Sequence, residues 1–147
     1  YLGDELGLLN DYSYQQDVNK LNDSRWVNRV AVNDADLDLR NQPDTPNGQI
    51  YADLRRLIEL RKTTPLLGDA HTHIIETGNP HIFGFTRTRD AETLLVLANF
   101  ADFEQHLDAS LIDSLLTGGK QADLLDSEAE VALQTLQPHQ VRWLTVQ

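Results

Sequence analysis

The hydrophobic period changes once along this 147-residue chain, between Leu67 and Asp69, and a segment cannot satisfy a helical and a strand period at once. Before the change, Ile50, Leu54, Leu57 and Ile58 recur at helical spacing and Arg61 continues the stripe. Thr45 stands where a cap is needed and Pro46 at the first helical position, so the pattern predicts a helix over 46–63. Asp53, Arg55, Arg56 and Glu59 form its solvated face, and Pro65 with Gly68 ends it. After Gly68 the period is two. Strands are expected over 73–77, 81–88, 93–99, 104–107, 131–136 and 141–146, with turns at Gly78-Asn79-Pro80 and Arg89-Asp90-Ala91. Strands at such short intervals predict an antiparallel sandwich.

Residues 1–48 carry little periodic apolar sequence and much Asn, Asp, Gly and Pro, which reads as long loop with short helical turns. Loops of that length inside a compact domain are often functional, so a site is sought there first. Twelve Lys and Arg against 23 Asp and Glu give a formal charge of −11, which disfavours nucleic acid and anionic membrane surfaces as partners. No run nears the ~20 apolar residues needed to cross a bilayer, so a soluble chain is expected. The absence of cysteine excludes disulfides, thiolate nucleophiles and cysteine-bound zinc. The chain opens at Tyr1 without a basic-then-apolar leader, which leaves the compartment open.

Two motifs in the loop carry chemistry. In Gly3-Asp4-Glu5-Leu6-Gly7 two acids are adjacent, and adjacent side chains of an extended chain point apart. They do not suit the facing pair of a retaining glycosidase, about 5–5.5 Å apart, and read as backbone-holding loop residues or as direct substrate contacts. Asp23-Ser24-Arg25-Trp26 joins a carboxylate, a planar five-donor cation and a large aromatic; it reads either as a structural ion pair or as a ligand-facing pair that Asn28 and Arg29 extend. Other motifs fail on spacing. Asp34, Asp36 and Asp38 imitate a calcium loop, but Leu39 and Thr45 replace its glycine and glutamate, leaving a solvated acidic turn. His71 and His73 share a strand face without a third ligand, so no metal is expected. Gly118-Gly119-Lys120 lacks the flanking residues of a phosphate loop, and Asn22-Asp23-Ser24 matches a glycosylation acceptor by rule alone.

Taken together, YLGDELGLLND, Asp17, Lys20, DSRWVNR and NGQIYADLRRLIELRKTTP resemble the end of the catalytic barrel of amylosucrases and sucrose hydrolases, within the α-amylase superfamily. GDE-G marks only the superfamily, whereas LND with DSRW is narrower. HIFGFTR, LLVLANF, LLTGGK and LQPHQVRWL resemble the C-terminal sandwich of these enzymes, so the likeness spans essentially the whole chain. The fold it implies is an α/β barrel remnant over 1–67, comprising the last βα loop and final helix of a TIM-type barrel, followed by an all-β antiparallel sandwich over 68–147.

The resemblance assigns Arg25 to the floor of the glucosyl pocket, paired there with an upstream aspartate, and puts Asp23 and Trp26 in the same substrate-binding patch. Asp4 and Glu5 take the structural loop role. The family's nucleophile, general acid and stabilising aspartate lie upstream of such a segment, so none maps here and the fragment alone is expected to be inactive, needing an N-terminal barrel portion as its partner. The intact enzyme would move glucose from sucrose with retention, releasing fructose, to a glucan acceptor or to water. A bacterial, cytoplasmic setting and no cofactor are implied. The alternatives are a stand-alone carbohydrate-binding or structural sandwich, or the tail of an α-glucosidase or a trehalose-forming isomerase. A binding module needs exposed aromatics, and Phe83, Phe85, Phe100, Phe103 and Trp143 sit mostly in apolar strands expected to be core.

Overall fold

The computed structural model describes residues 3–126 and 133–146. By contacts the chain divides into two compact units, residues 1–59 and 60–147.

The first unit is built from short helical turns. Single 3-10 turns span Asp4–Leu6, Ser13–Gln16 and Ser24–Asn28, followed by helix α1 (Asp34–Leu39) and the start of helix α2 (Pro46–Thr63). The limits of α2 agree with the periodicity. The Thr45 hydroxyl accepts the Gly48 amide at 3.1 Å, the capping bond that its position demanded. The acidic run at 34–38 is a helix rather than a turn. Asn33 and Asp36 exchange side-chain-to-backbone bonds of 3.1 and 3.0 Å in a capping box, which satisfies donors that a turn would leave open. The unit has little core of its own. Leu6 is its sole buried large apolar residue among those described, while Ile50, Leu54, Leu57 and Ile58, the whole stripe of α2, are 38–43% exposed.

The second unit begins within α2 and continues through a 3-10 turn (Pro65–Leu67) into seven strands: β1 (His71–Ile75), β2 (Ile82–Arg89), β3 (Glu92–Asn99), β4 (Gln105–His106), β5 (Gln121–Asp123), β6 (Thr135–Leu136) and β7 (Val141–Val146). All pairings are antiparallel, in a five-stranded sheet ordered β1-β2-β3-β7-β5 and a two-stranded ribbon of β4 and β6. The β2–β3 turn falls at Asp90-Ala91 as expected, with Asp90 in the left-handed region at φ 54°. β1 starts two residues earlier than predicted, and β6 covers only the end of the predicted 131–136 strand, whose first two residues lie outside the described residues. β5 and helix α3 (Ala109–Leu115) were not anticipated.

Alternation along the strands sends residues to two faces. One face contributes Ile82, Leu95, Leu97 and Leu144 to a cluster closed by Leu107, Ile112, Leu116 and Leu136 from the ribbon, α3 and adjoining loops. The other carries Leu94 and Val96, covered by Leu66 with Leu67 and Ala70, and flanked by Phe85 and Trp143. Arg87 ties down that covering segment, donating to the carbonyls of Leu66, Gly68 and Ala70 at 2.6, 3.1 and 3.2 Å. The expectation that most of the five aromatics form core needs correction. Phe85 and Trp143 pack as expected, but Phe83, Phe100 and Phe103 are 45%, 72% and 53% exposed. Phe83 shares the sheet face of Phe85 without joining its cluster, and Phe100 and Phe103 occupy the turn that follows β3.

Candidate functional site

The predicted site residues fall in two short turns of the first unit. Around Asp4–Leu6, the Glu5 carboxylate accepts the Gly3 amide at 2.9 Å, and the Asp4 carbonyl accepts the Gly7 amide at 3.0 Å. Gly3 and Gly7 hold φ of 101° and 61°, a region that favours glycine, and a Cβ on Gly7 would lie 2.5 Å from Ile50 Cδ1. Glu5 is therefore engaged with its own backbone, as a loop-holding residue would be.

Asp23, Arg25 and Trp26 meet in the turn Ser24–Asn28. Asp23 is its N-cap and accepts the Arg25 amide at 3.1 Å. The same carboxylate takes Arg25 Nε at 2.7 Å and Nη2 at 2.8 Å, a two-pronged fork. Those hydrogen bonds from the Arg25 side chain, aided by its backbone amide and by the charges of Arg25 and Arg29, lower the Asp23 pKa to about 2. The arginine side chain is 70% exposed, so this pair holds the guanidinium in place without removing it from water.

Trp26 is flanked by cations. Lys20 Nζ lies 4.8 Å and Arg29 Cζ 5.0 Å from its ring, and Lys20 also pairs with Asp17 at 3.5 Å. The Asp17 carboxylate is lowered chiefly by the Asn19 amide, which it accepts at 2.9 Å. The extension through Arg29 was legible in the motif. The Lys20 contact was missed, because its six-residue separation from Trp26 matches no helical or strand spacing. The resulting surface offers an aromatic face, two carboxylates and three cationic side chains, a set able to grip hydroxyls or an anionic group.

The second unit offers less. His71 and His73 are exposed on β1, and no group of three metal-ligating side chains occurs among the described residues. A recess beside the β2–β3 hairpin, lined by Glu92, Thr93, Thr117 and Thr145 among others, has Glu92 as its one ionisable group. Gly118 sits at φ 100°, the turn expected of Gly118-Gly119-Lys120.

No protein-family profile matches the chain. Solved structures do. Trehalose-6-phosphate hydrolase TreA from Bacillus licheniformis superposes with a TM-score of 0.71 over 100% of this chain and 35% of its own, at 21% identity, a likeness of fold. Trehalulose synthase MutB, in a complex with its substrate sucrose, matches at 27% identity and a TM-score of 0.51 over 67% of this chain and 18% of that one. A Tris complex of the same enzyme reaches a TM-score of 0.54 at 25% identity over 84% of this chain. Both neighbours are α-amylase superfamily enzymes. The chain spans about a third of TreA and about a fifth of MutB. Among the described residues no helix is long and apolar enough to cross a membrane.

Proposed function

We propose that this chain is the C-terminal part of a retaining α-glucosyl-transferring enzyme that takes sucrose as donor, as amylosucrases do. Residues 1–67 would be the last βα loop and final helix of its catalytic barrel, and 68–147 its accessory sheet domain. The observation that carries this reading is the likeness, at 27% identity over 67% of this chain, to MutB, whose structure holds its substrate sucrose. Two features support it. The apolar stripe of α2 is exposed where a barrel helix would bury it, and the first unit has almost no core without such a neighbour. In this reading Arg25 leaves Asp23 for an aspartate of the barrel and closes the pocket floor beside the glucosyl unit. Asp23 then keeps the turn capped, and Trp26 supports it between Lys20 and Arg29. The carboxylates that form and break the glycosyl bond lie in the barrel, and the 147 residues alone do no chemistry.

A second reading is favoured by the better superposition on TreA: the tail of a trehalose-type hydrolase. Product analysis of the gene's full polypeptide separates the two. Glucan or glucose with free fructose from sucrose supports the first; glucose release from trehalose 6-phosphate with sucrose left intact overturns it. Sugar release by the 147-residue chain alone would overturn both.

A further inference from the structure

The first turn of α2 reaches back across its own unit. Asn47 donates through Nδ2 to the Leu6 carbonyl, 41 residues earlier, at 2.6 Å. Farther along, the Asp11 amide donates to the Val27 carbonyl at 2.9 Å, which ties the chain leaving the Asp4–Leu6 turn to the Ser24–Asn28 turn. The short stretch between these two bonds is held as well. The Leu6 and Gly7 amides donate to the Gly3 and Asp4 carbonyls at 3.0 Å, and the Leu8 amide to the Gly3 carbonyl at 3.3 Å. A path of bonded groups therefore runs from the start of α2, through residues 6–11, to the turn that carries Arg25.

The junction at Asn47 is built for close approach. Gly48 is buried, and a Cβ there would lie 2.0 Å from the Gln42 carbonyl oxygen; a Cβ on Gly7 would meet Ile50 at 2.5 Å. Helix formation does not need the Asn47 bond. The Thr45 hydroxyl already caps α2 by accepting the Gly48 amide, and a carboxylate at position 47 would suit a helix N-terminus at least as well. What asparagine adds is a donor aimed at a distant carbonyl, which opposes the entropy lost on closing so long a loop.

We infer that Asn47 is a positioning residue that clasps the two ends of the loop 7–46 together and so fixes where Arg25 is presented. The inference rests on the role proposed above for Arg25 at the glucosyl pocket. A misplacement of about 1 Å can cost on the order of a hundredfold in rate, even when the change lies far from the chemistry. Asn47 acts only through the backbone of residues 6–11 and 27.

The test is a double-mutant cycle in the gene's full polypeptide, read by sucrose turnover and by hydrogen exchange with mass spectrometry. Asn47→Ala should lower kcat/KM roughly tenfold and speed exchange over residues 3–11 and 23–29, with exchange over β3 as in the parent. In an Arg25→Gln background the same change should cost less than about twofold, since no guanidinium is left to place. Asn47→Asp keeps the size and favours the helix N-terminus but turns an acceptor toward the Leu6 carbonyl, so it should behave as Asn47→Ala or worse. Gln49→Ala, at an exposed position nearby on α2, should match the parent. Parent-like kinetics or exchange in Asn47→Asp overturn the inference. So does an equal loss from Asn47→Ala in both backgrounds, which would make the residue a support of the fold at large. Exchange needs no substrate, so unchanged exchange in Asn47→Ala sinks the clasp alone. A parent that leaves sucrose intact sinks the sucrose reading alone; the cycle is then run on trehalose 6-phosphate, with exchange still deciding the clasp.

Discussion

Asp123 and Arg142 make the sharpest test of what holds the sheet domain together. Their side chains are 1% and 3% exposed, and Arg142 Nη1 donates to Asp123 Oδ2 at 3.0 Å. Oδ1 of Asp123 accepts the amides of Trp143 at 3.1 Å and Leu125 at 3.0 Å, while Arg142 Nε and Nη2 donate to the Thr135 carbonyl. Breaking such a pair from one side costs roughly 3–5 kcal/mol, because the other charge stays buried. The two sides are unequal here. Arg142→Met leaves a carboxylate still solvated by two backbone amides and belongs near 3 kcal/mol. Asp123→Ala strands a guanidinium and also orphans those amides, at about 1–3 kcal/mol each, so it reaches 5 kcal/mol or more, comparable to the whole stability of a domain this size. Arg142→Met combined with Asp123→Asn should be more stable than Arg142→Met alone by ~1–2 kcal/mol, since the amide oxygen keeps both backbone bonds without the buried charge. Urea unfolding read from Trp143 fluorescence in a Trp26→Phe background gives these differences. Equal costs for the two single variants, or no recovery in the double one, would refute the account.

At Asp23 the folded pKa is lowered to about 2 from 3.8, so its stabilising contribution is present above pH ~3.8 and disappears as pH falls through ~2. Carboxyl-carbon NMR should place its midpoint near 2, and Arg25→Gln should move that midpoint upward; an unchanged midpoint removes the fork as its cause. Gly48→Ala, a change that helix propensity favours by ~1 kcal/mol, should instead fray the start of α2 and raise amide exchange there, because the new Cβ would lie 2.0 Å from the Gln42 carbonyl oxygen. Leu54→Ser and Ile58→Ser should change the melting of the 147-residue chain little, within ~0.5 kcal/mol as for other exposed positions, yet strongly destabilise the full polypeptide. Equal effects in both settings would argue against a barrel neighbour for α2.

Much of this architecture could be read from the chain where one local signal was strong. α2 was found to the residue because a capping threonine, a proline at the first helical position and a later proline bracket an apolar stripe. The β2–β3 hairpin was found because two apolar runs flank Asp90, a residue tolerant of positive φ. β5 was missed because Gln121-Ala122-Asp123 has no apolar alternation, and its place in the sheet depends on pairing with β7, which lies about twenty residues away. α3 did carry a signal: Asp108 accepts the Ser110 amide as N-cap ahead of Leu111, Ile112, Leu115 and Leu116, a helical spacing hidden among strands. Exposure of Phe83 could not be read, because an apolar strand does not say which of its faces another segment covers; Phe100 and Phe103 lie outside the predicted strands, in the turn after β3, where exposure was open to a closer reading. In the loop, Asp23 and Arg25 were legible as a pair through their closeness in sequence. The bracketing of Trp26 by Lys20 and Arg29 needed the fold of the whole turn.

The two units keep their shape by different physics, and this bears on what Arg25 can do. The sheet domain rests on two apolar clusters and on hubs such as Asn99 and Arg142 that bind distant carbonyls. The loop instead rests on side chains that capture amides two or three residues onward: Asp11 on Ser13, Asp17 on Asn19, Asp23 on Arg25, Asn33 on Asp36. Local capture orders a polar segment without a core, which suits the ligand-presenting role proposed for this loop. It also sets how firmly the guanidinium is held. The Asp23–Arg25 pair is screened by water, and exposed ion pairs contribute little. A carboxylate presented from a drier surface attracts the same cation more strongly, because the effective dielectric constant is lower. In the proposed enzyme such a partner would compete with Asp23 for the Arg25 guanidinium, against the cost of drying the pair, while the Arg25 backbone amide bonded to Asp23 would keep the turn folded.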